Sequence, residues 1–195
     1  AAFMVSLLIS TLIAVYRGLF LLPITNPAEL LDNKIFTPII GVTSKDEESM
    51  SSENSERFNQ GIESMIVNIK SVLNEKDSVS RAKTILITSP TASNGKSYLT
   101  RNIATKLAKL DTKVLLIDND LKRGDQHKSF NLPKIRSEDF YSINSENINK
   151  FEVDKNLFVI PKISKLKSSF QFLYSPEYME RFDFFKEFFD YIIID

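Results

Sequence analysis

From Arg57 onward, apolar residues fall into two recurring patterns. Phe58, Ile62, Met65, Ile66, Ile69, Val72 and Leu73 lie at helical spacing and predict an amphipathic helix with one apolar face. Short continuous apolar runs follow: "TILIT" at 84–88, "VLLI" at 114–117, "LFVI" at 157–160 and "YIII" at 191–194, each the signature of a buried strand. Leu99, Ile103 and Leu107 place a stripe on a helix that begins near Ser97. Ser175-Pro176-Glu177 reads as N-cap, first-turn proline and first-turn acid, opening a helix that buries Tyr178, Phe182, Phe185 and Phe189. Apolar strands alternating with amphipathic helices predict an α/β fold, a parallel sheet covered by helices on both faces.

Upstream the pattern changes. Residues 1–22 are apolar except for a few hydroxyls and Arg17. As a helix, Ala1–Tyr16 would extend roughly 24 Å at ~1.5 Å per residue, short of the ~30 Å hydrocarbon core. Two readings stand: a transmembrane helix whose beginning is missing, with Tyr16 and Arg17 at the interface, or a buried core helix. A secretory signal is disfavoured by the absence of a basic start and a small-residue cleavage site. Residues 23–56 form a connector, "PITNPAELLDNK", a short extended patch, "IFTPIIGV", and a Ser/Glu-rich linker over 45–56. The folded domain is expected over 57–195. With no initiator methionine and an end directly after a strand, the chain reads as a fragment of a longer protein.

Composition narrows the chemistry. Among 195 residues, Lys+Arg and Asp+Glu both number 25, so no global basic field recruits nucleic acid. The absence of cysteine excludes disulfides, zinc-thiolate sites and a cysteine nucleophile. A single histidine, His127, argues against a His-based metal site or a serine-histidine triad.

Between the first predicted strand and the next helix lies "SPTASNGKS", 89–97, close to the phosphate-binding pattern G-x-x-x-x-G-K-[S/T] but with Pro90 in the first glycine position. In such a loop the backbone amides of Ser93, Asn94, Gly95, Lys96, Ser97 and Tyr98 would wrap phosphate oxygens at a helix N-terminus. Lys96 would reach the terminal phosphates and the Ser97 hydroxyl would ligate Mg²⁺. Ser93 and Asn94 fall where glycines are usual, and asparagine tolerates a left-handed backbone better than most residues. A second cluster, "VLLIDNDLKRG", puts Asp118 and Asp120 at a strand's carboxyl end, and "YIII" delivers Asp195 to the same sheet edge, where ligands bind in open parallel sheets. A lysine, a hydroxyl and three carboxylates make the inventory of a Mg–nucleotide site, with metal ligands among Ser97, Asp118 and Asp195 and a carboxylate base in Asp118 or Asp120.

The order of an apolar helix, "TNPAEL…PIIGV", an acidic linker, "TSPTASNGKS", "VLLIDNDLKRG..H" and "FFDYIIID" resembles the cytoplasmic part of bacterial tyrosine kinases fused to polysaccharide co-polymerases. The resemblance covers nearly the whole chain. It implies an ATP- and Mg²⁺-dependent tyrosine autokinase that regulates capsule or exopolysaccharide chain length and export, with a non-catalytic nucleotide-binding scaffold as the alternative. Lys96 and Ser97 would be the Walker A pair, Asp118 and Asp120 the A′ motif, and Asp195 the Walker B carboxylate. Implied partners are a tyrosine tail of its own or a neighbouring protomer, the export machinery and the bacterial inner membrane, with residues after about 22 cytoplasmic and homo-oligomers possible. The sequence departs from the family in Ser93-Asn94, where a glycine and an acid are common, and in Lys122, which replaces an arginine. It also departs at Gln60, Glu63 and Ile66, which stand where an E-x-x-R-x-x-R ring-assembly run would be. The family's acceptor tyrosines would lie beyond Asp195.

Overall fold

A computed structural model describes residues 2–20, 39–43, 52–74, 82–91 and 94–195. The connector from 23 to 38, most of the Ser/Glu-rich linker and Ser93 lie outside these residues. The chain divides into two compact units, Ala1–Val42 and Thr43–Asp195.

In the first unit, α1 (Ala2–Phe20) is a 19-residue helix, and the side chains from Met4 to Tyr16 are exposed. Among the described residues no helix is long and apolar enough to cross a membrane. Ile39–Thr43 form neither helix nor strand, consistent with the proline and glycine of that patch.

The second unit contains a five-stranded sheet. Its strands are β1 (Lys83–Leu86), β2 (Val114–Ile117), β3 (Glu152–Asp154), β4 (Leu157–Ile160) and β5 (Tyr191–Ile194), in the order β1-β5-β2-β4-β3. Four of them are parallel and correspond to the four predicted runs. The sheet is nevertheless mixed, because β3 pairs antiparallel with β4 through the two-residue turn Lys155-Asn156. Asn156 takes φ 62° there, a left-handed conformation asparagine accepts readily. "TILIT" also differs from the expectation of a fully buried strand. β1 is an edge, and Leu86 is 68% exposed.

Side chains along β2, β4 and β5 alternate between two cores, as the period of two requires. Val114, Leu116, Leu157, Val159, Tyr191 and Ile193 face a core completed by α2 (Ser52–Asn74) and α3 (Lys96–Ala108). Phe58, Ile62 and Ile66 of α2 and Ile103 and Leu107 of α3 are buried there. The α2 helix begins five residues before the predicted start, within the Ser/Glu-rich tract, and Val72 is exposed rather than on its apolar face.

Leu115, Ile117, Phe158, Ile160 and Ile192 face the opposite core. There α5 (Ser137–Tyr141), α6 (Ser169–Leu173) and α7 (Pro176–Phe188) supply Phe140, Phe172, Tyr178 and Phe185. The predicted cap of α7 is present: Tyr178 N donates to Ser175 Oγ at 3.1 Å. Phe182, expected to be buried, is half-buried.

Candidate functional site

The register of the parallel strands brings their carboxyl ends to one edge: Leu86 pairs with Ile194, and Ile194 and Ile160 both flank Ile117. The residues just past those ends continue the ladder, with Asp118 N donating to Ile160 O and Asp195 N to Ile117 O, each at 3.0 Å. Asp118 and Asp195 are thereby fixed by sheet geometry at the edge where β1 ends and α3 begins.

The chain turns into the helix at Gly95, the α3 N-cap, whose φ of 76° is left-handed. No side chain would meet neighbours there, since a Cβ has nothing within 4 Å, so the glycine answers to backbone conformation rather than space. Gly95 thus holds a left-handed turn at the helix start, next to the position where asparagine could have taken one. Asn94 is exposed and is not among the described residues with positive φ.

Lys96 pairs through Nζ with Asp195 Oδ1. Thr100, one turn along α3, places its hydroxyl 3.4 Å from the same oxygen and donates to Lys96 O at 2.8 Å. Asp195 Oδ2 accepts 2.7 Å from Gln126 Nε2, which lies on α4 (Gln126–Ser129) and also reaches Ser97 O at 2.9 Å. The Gln126 amide donates to Asp118 Oδ2 at 3.1 Å. Asp118 Oδ1 and Gln126 Oε1 are buried acceptors with no donor.

The carboxylates differ in kind. Burial pushes the Asp118 pKa up to about 7; the Gln126 amide opposes this, and the charges of Asp195, Asp120 and Asp125 add to it. Asp120 is also partly desolvated, but amides of Arg123 and Lys122 and the charges of Lys96 and Lys162 outweigh that and hold it below its ordinary value. Its Oδ1 accepts from Arg123 N at 2.8 Å and Lys122 N at 3.2 Å. Gly124 closes this turn against Asp118: a Cβ at Gly124 would fall 2.1 Å from Asp118 Oδ1 and 2.6 Å from Asp120 O.

Above the buried layer opens a cleft of about 520 Å³, whose lining includes Gly95, Lys96, Ser97 and Tyr98, the carboxylates of Asp120 and Asp125, and Arg101 and Arg123. Tyr98 packs between Phe58 and Arg101, with 5.4 Å to each, and Arg101 also bonds Ser129 Oγ. Of the predicted site residues, Gly95, Lys96, Ser97, Tyr98 and Asp120 face the cleft, Asp118 and Asp195 lie in the buried layer, and Asn94 is not in its lining. Thr100, Arg101 and Gln126 were not foreseen. Thr100 had a signal, a polar residue four after Lys96 on a helix; Gln126 had none in its local sequence.

No three His, Cys, Asp or Glu side chains among the described residues form a ready metal cage. The oxygen donors fit a hydrated Mg²⁺ all the same. That ion keeps several waters and needs only one or two carboxylates, and water ligands would supply the donors that Asp118 Oδ1 and Gln126 Oε1 lack.

A strand, a left-handed glycine, a helix-borne Lys-Ser pair and strand-end carboxylates together define a P-loop nucleotide-binding α/β domain. No family model matches the chain. It is 49% identical over 55 residues to the tyrosine-protein kinase ptk of Acinetobacter johnsonii, covering 28% of this chain and 8% of that one. It is 32% identical over 117 residues to the putative tyrosine-protein kinase CapB of Staphylococcus aureus, covering 58% of this chain and 51% of that one. At most about half of either relative is therefore matched.

Among solved structures, the BceF tyrosine kinase domain superposes with TM-score 0.68 at 20% identity, covering 87% of this chain and 75% of that one. The kinase domain of the Escherichia coli tyrosine kinase ETK gives 0.67 at 15%, covering 89% and 72%. The chimerical protein CapA2B2 gives 0.66 at 22%, covering 86% and 74%. At these identities the structures speak to fold alone, and the curated relatives carry the kinship. Over 117 residues the chain is thus similar in sequence to a putative tyrosine-protein kinase, and it shares its fold with the bacterial tyrosine kinase domains.

Proposed function

We propose that the cleft binds Mg–ATP and transfers its terminal phosphoryl group to a tyrosine hydroxyl. The observation that carries this reading is the convergence of Gly95, Lys96, Ser97 and Asp120 around one cleft, over a buried layer that holds Asp118 and Asp195. The α3 N-terminus and the loop amides would hold the phosphates, and Lys96 would leave Asp195 to neutralise their charge. Bound Mg²⁺, held by Ser97, Asp118 and Asp195, would supply charge neutralisation at the phosphates. Of the two carboxylates that line the cleft, Asp120 and Asp125, Asp120 is the one that follows the end of β2, and its lowered pKa keeps it ionised at neutral pH. It would accept the hydroxyl proton as the tyrosine oxygen bonds to phosphorus and the bond to the ADP oxygen breaks. The names of the curated relatives support tyrosine as the acceptor.

The same reading assigns the domain to capsule or exopolysaccharide assembly, where its acceptor would be a tyrosine tail on its own or a neighbouring protomer. We further propose that residues 1–22 lie in the bacterial inner membrane and that the P-loop domain is cytoplasmic. The exposed apolar side chains of Met4, Leu8, Leu12 and Val15 on α1 favour this. Resistance of the chain to alkaline extraction from membranes would test it, and release into the soluble fraction would overturn it.

A non-catalytic, nucleotide-binding scaffold is favoured by the reduced glycine content of the loop. The two readings separate in one experiment. A chain extended to include acceptor tyrosines, incubated with Mg–ATP, should gain phosphotyrosine and lose it on Lys96→Met. Nucleotide binding without phosphotyrosine would select the scaffold, and phosphorylation that survives Lys96→Met would remove the role of the loop.

A further inference from the structure

Gln126 is fully buried at 0% exposure, in a position where an apolar residue would be the usual occupant. Its three donated hydrogen bonds all end on parts of the site: Ser97 O on the P-loop helix, Asp195 Oδ2 at the end of β5, and, from its backbone, Asp118 Oδ2 after β2. The two oxygens of Asp195 are therefore held differently. Oδ1 is shared by Lys96 and Thr100, and the Lys96 side chain keeps 20% of its surface exposed toward the cleft. Oδ2 is bound only on the buried side, by a neutral carboxamide. A cation in that place would neutralise Asp195 and compete with Lys96, whereas an apolar side chain would leave Oδ2 buried without a donor.

We propose that Gln126 is the positioning residue of the site. It fixes the Asp195 carboxylate to the P-loop helix so that Asp195 stays aimed at the metal position when Lys96 moves to phosphate. Its free Oε1 is the acceptor available to a metal-bound water. This inference rests on the nucleotide reading of the cleft. It concerns the coupling between metal and nucleotide rather than phosphate binding itself. Hydrogen-bonded partners behind metal ligands typically change affinity by about 10- to 100-fold when removed.

The test is fluorescence titration of the 195-residue chain with mant-ADP, with Mg²⁺ and with EDTA, for wild type, Gln126→Met, Gln126→Asn and Lys96→Met. Gln126→Met keeps the volume and removes both donors; Gln126→Asn keeps a carboxamide too short to span Ser97 and Asp195. Circular dichroism selects the variants that fold, and either one suffices. The expected result is that Mg²⁺ tightens mant-ADP binding in wild type, and that this enhancement falls about tenfold in the Gln126 variant. Affinity in EDTA should stay within about twofold. A loss confined to packing would weaken both titrations equally, and that outcome overturns the proposal, as does an undiminished Mg²⁺ enhancement. If wild type and Lys96→Met bind alike, the nucleotide reading itself falls and the role of Gln126 falls with it. If Lys96→Met loses binding while the Gln126 variant keeps the full Mg²⁺ enhancement, only the role of Gln126 is overturned.

Discussion

Asp118 sets the pH response of the site. In the native state its pKa is about 7 against an ordinary 3.8, chiefly because it is buried. Between those values the folded chain holds a proton that the unfolded chain has released. The Asp118 contribution to stability is therefore fully present below about pH 4, declines as pH rises toward 7 and is flat above, with a slope of at most ~1.4 kcal/mol per pH unit. Asp118→Asn should remove that slope and leave the chain more stable than wild type above pH 7, as read from urea midpoints across pH. If Asp118 holds Mg²⁺ as proposed, the same proton would oppose it, and Mg²⁺-dependent nucleotide affinity should rise as pH passes through about 7 and level off above that. An affinity independent of pH over that range would exclude Asp118 as a metal ligand. Gly124→Ala probes the same contact sterically: its Cβ would meet Asp118 Oδ1 at 2.1 Å and a backbone oxygen at 2.6 Å. The expected cost is about 1–3 kcal/mol in urea denaturation, with nucleotide affinity falling alongside.

At the scale of elements, what could be read from the chain was what depends on local periodicity. The runs at 114–117, 157–160 and 191–194 are strands because β-rich apolar segments buried on both faces have no polar positions to break the run. The α3 and α7 helices announce themselves through an i, i+4 stripe and a Ser-Pro-Glu start. Elements stabilised by distant partners were not legible. The three-residue strand β3 exists because Asn156 turns the chain back onto β4. The five-residue helix α5 is too short to show a period; what anchors it is Phe140, fully buried and stacked on Tyr178 at 5.2 Å, edge-on to Phe172 at 5.3 Å and Phe185 at 5.9 Å. The site divides in the same way. Lys96, Ser97 and the aspartates carry motif spacing, while Gln126 arrives from a four-residue helix by tertiary folding alone. Phe140→Ala should cost about 3–5 kcal/mol, measured by urea denaturation. Because that cluster lies on the face of the sheet opposite α2 and α3, nucleotide affinity of the remaining folded protein should be unchanged.

For the P-loop unit as a whole, the Lys96–Asp195 pair links ligand binding to stability. The ammonium lies on a carboxylate side chain that is 0% exposed, so in the free protein it neutralises a buried charge, while in the proposed complex it is needed at phosphate. Binding would therefore break the pair, and Asp195 would then be free to hold Mg²⁺, which would supply the neutralising charge there. A ligand present at 100 times its Kd adds about 2.7 kcal/mol to unfolding free energy, which for a unit of this size corresponds to roughly 5–10 °C in Tm. Mg–ADP should produce that shift in wild type. Lys96→Met should start from a lower Tm, by up to about 3 kcal/mol of stability for stranding a buried carboxylate, and should show no shift. Asp195→Asn gives the opposite separation. It releases Lys96 from its competitor, so metal-free ADP should bind several-fold more tightly than to wild type, while the Mg²⁺-dependent part of the Tm shift disappears. If Asp195→Asn instead weakens metal-free ADP as much as Mg–ADP, the pair is structural and Lys96 does not exchange between carboxylate and phosphate.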